Sequence, residues 1–387
     1  MGTAEQQTQW NQLFQEFQRQ QPNVRVTAVG LPVDNWAAYA DRVLLDLAAG
    51  RKYDLVQVAT EGMQLFVGKS LLHPLDDLVR RDAGVTNDLI ADVSPRLVEW
   101  NRQYASGDGH TYFLPGDFNT MCMWYNRRVL RSAGLDDPEP AWSWETFLDY
   151  GRKVKKASGA YLYPVTAEYF VGVMPWLLTN GASTLDDTWR TATCDDPRAV
   201  EAADFARQLV QDGLSPAPGG SFDRYSLAVQ GRLAMFGGGR WPIINIRQQG
   251  AVGDFGIVPW PRKTRAGSPV GWGFTPILRS SENKEDAWTF IKFLSSRQGA
   301  TFFAGLGGTI VPGRRSVASS EAFLANSPRG TEFLYRALDY ATPIPSPARN
   351  DRVQRSVEDT WGQIAAGVAS PAEGMRSMQR RVSADLG

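Results

Sequence analysis

Glycine-flanked tryptophans, scattered carboxylates and one arginine beside an indole are the side chains of this sequence that could act together chemically. From Gly231 to Pro276 the chain reads GRLAMFGGGRWPIINI, then DFGIVPWP, then PVGWGFTPIL, three apolar, strand-like runs separated by glycines. Trp241 directly follows Gly237-Gly238-Gly239-Arg240, and Trp272 lies between Gly271 and Gly273. Glycine tolerates positive φ, so both indoles are expected at exposed turns. A flat apolar ring suits the C–H face of a pyranose, while neighbouring amides, carboxylates and Arg240 can bind its hydroxyls. Equally open is the plainer reading that both are core tryptophans. Glu61, Asp117 and Glu168 supply carboxylates. Two of them about 5 to 10 Å apart could cleave a glycoside, or all three could simply accept hydrogen bonds from hydroxyls.

Other chemistries find little material. The sequence contains no GxSxG, HExxH or P-loop, and its glycine run precedes Arg-Trp-Pro rather than opening a helix as a phosphate cradle. His73 and His110 are the only histidines, and Cys122 and Cys194 lack metal or redox spacing, so no metal or cofactor is expected. The cysteines read as structural thiols, with one disulfide left open. Lys+Arg and Asp+Glu both count 41, which gives no basic bias toward nucleic acid. No apolar run is long enough to span a bilayer, and Met1-Gly2-Thr3-Ala4-Glu5 has none of the charge and hydrophobicity of an export signal. The 13 tryptophans suit either a sugar site or a large core.

The elements that must position these groups follow an α/β pattern. Trp10, Leu13, Phe14 and Phe17 recur at helical spacing until Pro22; Val24 to Val29 alternates as a strand; residues 35 to 49 are helical; Tyr53 to Val58 is a second strand. This alternation predicts a mostly parallel sheet, with ligand contacts at strand ends such as Thr60 and Glu61. Thr111 to Pro115 reads as a strand, interrupted by Gly116-Asp117-Phe118-Asn119-Thr120 and resumed by MCMWYN. That interruption has three readings: hinge material, ligand contacts or an edge bulge. Ser143 is expected to cap a helix carrying Trp144 and Phe147, and Asp195 or Asp196 one that starts at Pro197. Another amphipathic helix should bury Trp288, Ile291 and Phe293, and two helices close the chain.

Taken in order, the segments PNVRVTAV, WAAYADRVLLDLAAGRKYDLVQV, LFVGKSLLHPLDDLV, HTYFLPGDFNTMCMWYNRRVLRSAGL, WSWETFLDYGRKV, GRLAMFGGGRWPI, FGIVPWP, GWGFTPI and EDAWTFIKFLSSRQGA resemble the family 1 extracellular solute-binding proteins of ABC importers. That group includes the maltose-binding protein and serves carbohydrate uptake. The resemblance covers nearly the whole chain. It implies an α/β, two-lobed, type II periplasmic-binding-protein-like fold, with a ligand cleft between lobes joined by hinge crossings. Lobe one would be 1–117 and 259–309, without the strand that normally precedes the first helix, and lobe two 118–258 and 310–387. Carried over by position, Glu61 and Trp272 would face the ligand from lobe one, and Asp117 and Asn119 from the crossing. Glu168, Tyr169, Trp176, Arg240 and Trp241 would do so from lobe two, and Arg349 and Asn350 lie where a last contact is expected.

The implied activity is capture of a sugar or oligosaccharide and its delivery to ABC permease subunits, by a monomer exported as a periplasmic protein or membrane-anchored lipoprotein. Arg240 leaves a second ligand open, an anionic sugar derivative or a glycerol phosphodiester, unless it pairs with Glu168 or Asp117. A sugar-cleaving enzyme is the alternative of another class.

Overall fold

Helices begin where a polar side chain can satisfy the first free N–H groups. Asn126 Oδ1 accepts from the amides of Arg128 and Val129, Ser143 Oγ from that of Thr146, and Asp196 from that of Arg198. These caps start the helices Arg127–Ser132, Trp144–Ser158 and Pro197–Gln211. The computed structural model describes residues 4–31, 33, 36–220 and 222–387, with side chains from Gln6 onward. Its strands are β1 (Val58–Ala59), β2 (Phe118–Thr120), β3 (Cys122–Asn126), β4 (Met235–Gly238), β5 (Phe255–Pro259), β6 (Ser268–Phe274) and β7 (Ala341–Pro343).

Contacts divide the chain into two compact units. Unit one comprises Met1–Phe118, Gly271–Ala325 and Ser346–Asn350; unit two comprises Asn119–Val270, Asn326–Pro345 and Asp351–Gly387. Expected breaks at 117, 258 and 309 thus lie at 118, 270 and 325, with a further return at 346–350. Ladders explain the shifts. β5 pairs with β3 from Cys122↔Pro259 to Asn126↔Phe255, which keeps it in unit two. Val311 bridges Phe118, and Arg314 pairs with Asp88 and Asp92, which holds the segment past residue 309 in unit one.

In unit two, β3 lies between β4 and β5 and pairs antiparallel with both. In unit one, β1 pairs antiparallel with the end of β6, Ala59 opposite Gly273. The β6–β7 ladder is parallel, whereas the β1–β6, β3–β4 and β3–β5 ladders are antiparallel. The expected mostly parallel sheet is therefore corrected: local periodicity marks a strand but not its partner, and here the partners lie far away in sequence. Val24 to Val29 forms no described ladder either, although Val24 and Val26 pack against the Leu13–Phe17 core of unit one. The run after Trp241, expected as strand, is the helix Pro242–Gln248 with proline at its start.

Unit one buries two clusters, Leu13 and Phe17 with Phe290 and Phe293, and Leu75, Leu89 and Leu114 with Trp288 and Ile291. Unit two is centred on rings: Trp144 stacks on Phe205 at 4.3 Å, and Trp176 meets Trp144, Phe147, Tyr163, Phe205 and Trp260. Both cysteines are buried and unpaired.

Unit one also contains a contact with no room for a side chain. A Cβ on Gly313 would lie 2.2 Å from the carbonyl oxygen of Gly116. Gly313→Ala should therefore destabilise the protein by about 1–3 kcal/mol in urea denaturation. Gly305→Ala, whose added carbon meets nothing closer than 4.0 Å, should change stability by less than about 0.5 kcal/mol.

Candidate ligand-binding site

The residues singled out by sequence fall into one cluster in each unit and a set of core positions. β6 lies between β1 and β2, so the residues after β1 and before β2 flank its Trp272-Gly273 segment. Thr60 starts the helix Thr60–Gly68; its hydroxyl donates to the Trp272 carbonyl at 3.0 Å and accepts from the Trp272 amide at 2.8 Å. Glu61, half-buried in the first turn of that helix, has its carboxyl raised above the usual range by burial, against the pull of its own backbone N–H. On the other side, the Asp117 carbonyl accepts from Gly273 N at 3.0 Å. Burial pushes the Asp117 carboxyl up to about 6, although a Gly313 N–H bond favours its ionised form.

In unit two the glycine run does a different job from the one expected. None of Gly237, Gly238 and Gly239 has positive φ; each is required because other atoms occupy the place of a Cβ. That position lies 2.5 Å from the Trp260 ring at Gly237, 2.8 Å from Pro242 at Gly238, and 2.5 Å and 2.6 Å from Trp241 and Asn119 Oδ1 at Gly239. The Arg240 amide donates to Asn119 Oδ1 at 2.8 Å, and Trp124 Nε1 donates to the Gly239 carbonyl at 3.0 Å. This scaffold presents the half-buried indole of Trp241. It stacks on Phe170 at 6.2 Å and 30°, and its Nε1 donates to the Tyr225 hydroxyl at 3.2 Å. Beside Tyr225, Arg224 pairs with Glu168 at 2.6 Å.

Several expected contacts are corrected by burial. Trp272 is only 1% exposed, packs on Trp100 and Tyr104, and donates through Nε1 to Asn101 Oδ1 at 2.7 Å. Trp176 is fully enclosed by the rings of unit two. Tyr169 is buried, its hydroxyl against Thr184 at 2.7 Å and the Pro345 carbonyl at 3.3 Å. These three rings are core. Arg240 is also buried, with Nη2 donating to Ser327 at 2.9 Å, and desolvation lowers its pKa to about 9. The expected Glu168 partner is taken by Arg224. Arg349 is exposed, whereas Asn350 is 3% exposed and its side-chain nitrogen and oxygen have no hydrogen-bond partner among the described residues. An open groove of about 460 Å³ lined by Arg152, Lys155, Lys156, Asp212 and Leu214 shares no residue with either cluster. Its exposed cations mark a solvated surface.

The family described as bacterial extracellular solute-binding protein matches residues 2–301. This chain belongs to that family. A binding protein of Brucella abortus is 24% identical over 319 residues, 76% of this solute-binding protein and 71% of the relative. The maltotriose-binding protein of Pyrococcus abyssi is 23% identical over 256 residues, 65% of this chain and 52% of that one. Among solved structures, an ABC-transporter solute-binding protein of Thermotoga lettingae bound to α-D-tagatose has a TM-score of 0.81 at 23% identity, covering 98% of this chain and 96% of that one. UgpB of Mycobacterium tuberculosis in complex with glycerophosphocholine has a TM-score of 0.81 at 22% identity, covering 98% and 95%. The fold is accordingly the α/β, two-lobed, type II periplasmic-binding-protein fold.

Sequence reasoning missed Phe170, Arg224 and Tyr225 as neighbours of Trp241. Phe170 was visible only as one of two adjacent aromatics, and nothing in the sequence told which faced inward. Arg224 and Tyr225 carry no such signal; they open the helix Arg224–Val229.

Asp117 makes stability depend on pH. Its folded pKa of about 6 exceeds the ordinary 3.8, so the folded protein binds more protons between these values. Stability contributed by the protonated carboxyl is complete below the lower value and is lost as pH rises through the upper one. Relative to Asp117→Asn, the native protein should lose up to about 3 kcal/mol between acidic and neutral pH, measured by urea denaturation across that range.

Proposed function

We propose that this solute-binding protein is the extracytoplasmic substrate-capturing component of an ABC importer, and that its ligand is a neutral sugar or oligosaccharide resting on Trp241. The observation that carries this reading is the aromatic ledge of unit two. Trp241 and Phe170 stack with both rings half-buried, and an ion pair and a tyrosine hydroxyl lie at their side. An apolar face edged by polar groups complements a pyranose, whose C–H surface stacks while its hydroxyls exchange hydrogen bonds. Glu61, Asp117, Asn119, Arg349 and Asn350 are proposed, on the family resemblance alone, as further hydroxyl partners. A hydroxyl can satisfy an amide such as that of Asn350 without introducing a charge.

Charge favours the neutral ligand. The Arg224 cation next to the ledge is already paired with Glu168 at 2.6 Å, and Arg240 is 1% exposed. Neither offers the open guanidinium fork that a phosphodiester or sugar acid would engage. A sugar-cleaving activity has less support, because the family is one of binding proteins and hydroxyl acceptance accounts for the same carboxylates. Release to membrane permease subunits, a periplasmic or lipoprotein location and a monomeric state complete the proposal. The first two are supported by membership of an extracellular family and by the similarity to an ABC-transporter protein; the monomeric state is proposed because ligand capture needs lobes free to move.

The test is a thermal-shift screen with maltotriose and other neutral sugars, sugar acids and glycerophosphocholine, with a product assay on every hit. A ligand present at a hundred times its dissociation constant should add about 2.7 kcal/mol of stability. A neutral sugar should shift the melting temperature without being cleaved, and Trp241→Ala should weaken it by roughly tenfold or more. A response confined to anionic ligands, or cleaved product, would sink the reading.

A further inference from the structure

The ledge residue Phe170 belongs to an unusual turn. Tyr169–Val173 is a π-helical turn, in which the Glu168 carbonyl accepts from both Gly172 N at 2.7 Å and Val173 N at 3.1 Å. Such turns insert an extra residue and so change which side chain faces inward. Here Tyr169 is buried against Thr184 and Pro345, while Phe170 stays half-buried against Trp241. The turn is also pressed against its own approach. A Cβ on Gly172 would lie 2.2 Å from the Thr166 carbonyl oxygen.

A turn of this kind needs its first N–H satisfied, and the residue at its cap does not do so. Glu168 makes no side-chain cap bond, being turned toward Arg224 and the Thr166 hydroxyl. The acceptor comes instead from the helix Asn350–Ala365, where Glu358 Oε1 accepts from Tyr169 N at 2.9 Å and from Gln354 Nε2 at 2.9 Å. That helix packs close to the turn, since a Cβ on Gly362 would lie 3.7 Å from Ala167 Cβ. A carboxylate at the start of a helical turn forms a stronger bond than a neutral acceptor and faces the positive end of the turn's dipole.

We propose that Glu358 is a positioning residue for the ligand face: by fixing the Tyr169 amide it sets the register of the π-turn, with Tyr169 inside and Phe170 beside the Trp241 ring. Glu358 does not touch ligand in this scheme. The inference rests on the reading that the Phe170–Trp241 ledge holds the sugar. Its carboxyl keeps this place at some cost, because burial, together with Glu168 and Asp359, raises its pKa above the ordinary glutamate range.

Two measurements test it on the full chain. The first is hydrogen exchange of the ligand-free protein. Glu358→Ala, with Glu358→Met as a second variant lacking the acceptor, should speed exchange over Tyr169–Val173 by about tenfold or more, with the helix Pro197–Gln211 unchanged. Glu358→Gln, which keeps an acceptor oxygen, should exchange like the native protein. The second is maltotriose titration by calorimetry: Glu358→Ala should bind about tenfold more weakly and Glu358→Gln should recover most of that loss. Unchanged exchange over the turn in both acceptor-less variants would overturn the inference. So would native affinity in Glu358→Ala under conditions where Trp241→Ala has lost binding. If Trp241→Ala binds as the native protein does, or maltotriose does not bind, the sugar-ledge reading fails instead, and the exchange arm still decides whether Glu358 holds the turn.

Discussion

The candidate ledge of unit two depends on a stretch of backbone that leaves no space for a Cβ. At Gly237, Gly238 and Gly239 the missing side chains are replaced by Trp260, Pro242, Trp241 and Asn119. β4 can therefore lie flat on β3 while the chain turns immediately into the Pro242–Gln248 helix. Asn119 completes the arrangement, its Oδ1 held by the Arg240 amide. If Gly239 carried even a methyl group, Trp241 and Asn119 would both have to move, and the stack on Phe170 would move with them. The glycines are thus packing residues, and the orientation of the indole is their consequence.

Unit one solves a related problem with charge. Asp117 is half-buried, and burial raises its carboxyl to about 6 while the bond from Gly313 N–H pulls the other way. The segment that carries Gly313 is itself fastened. Arg314, 2% exposed, bonds to the Ser295 carbonyl and pairs with Asp92 at 3.2 Å and Asp88 at 2.8 Å, while the Ser316 amide donates to Asp92. A buried guanidinium with several fixed acceptors gives a rigid anchor, and breaking one partner would leave a charge stranded. The position of Asp117 is therefore set by a network some residues away.

How much of this was legible in the sequence depended on the range of the interaction. Ser143, Asp196 and the buried stripe Trp288, Ile291 and Phe293 were readable because capping and helical periodicity act within one turn. Family membership was readable because many weak motifs kept their order. Strand partners were not, since β3 finds β4 and β5 far along the chain. The tryptophans divided for the same reason. Trp241 and Trp272 have similar glycine settings, yet Trp272 has Trp100, Asn101 and Tyr104 brought to it by a distant helix, Pro95–Tyr104, and becomes core. Glu168 is expected to meet a ligand, but the structure pairs it with Arg224, the first residue of the short helix Arg224–Val229, which nothing in the sequence links to it.

The tryptophan load therefore says less about ligand than its size suggests. Trp124, Trp144, Trp176, Trp272, Trp288 and Trp361 are all fully buried and account for much of that load by filling the two cores. What separates Trp241 is that its edge is satisfied and its face is incompletely covered. The indole N–H is already bound to Tyr225, so a partner gains nothing by bonding to it, and the stack on Phe170 covers one side. Such a ring can reward only what lies flat against it. Selectivity must then come from the polar groups around the ring, and one cation among them, Arg224, is already paired with Glu168. An anion arriving there would have to compete with Glu168 for the guanidinium, whereas a neutral polyol can bond to the outer oxygens of the existing pair. On the neutral-sugar reading proposed above, charge rather than shape would be the first discriminator at the ledge.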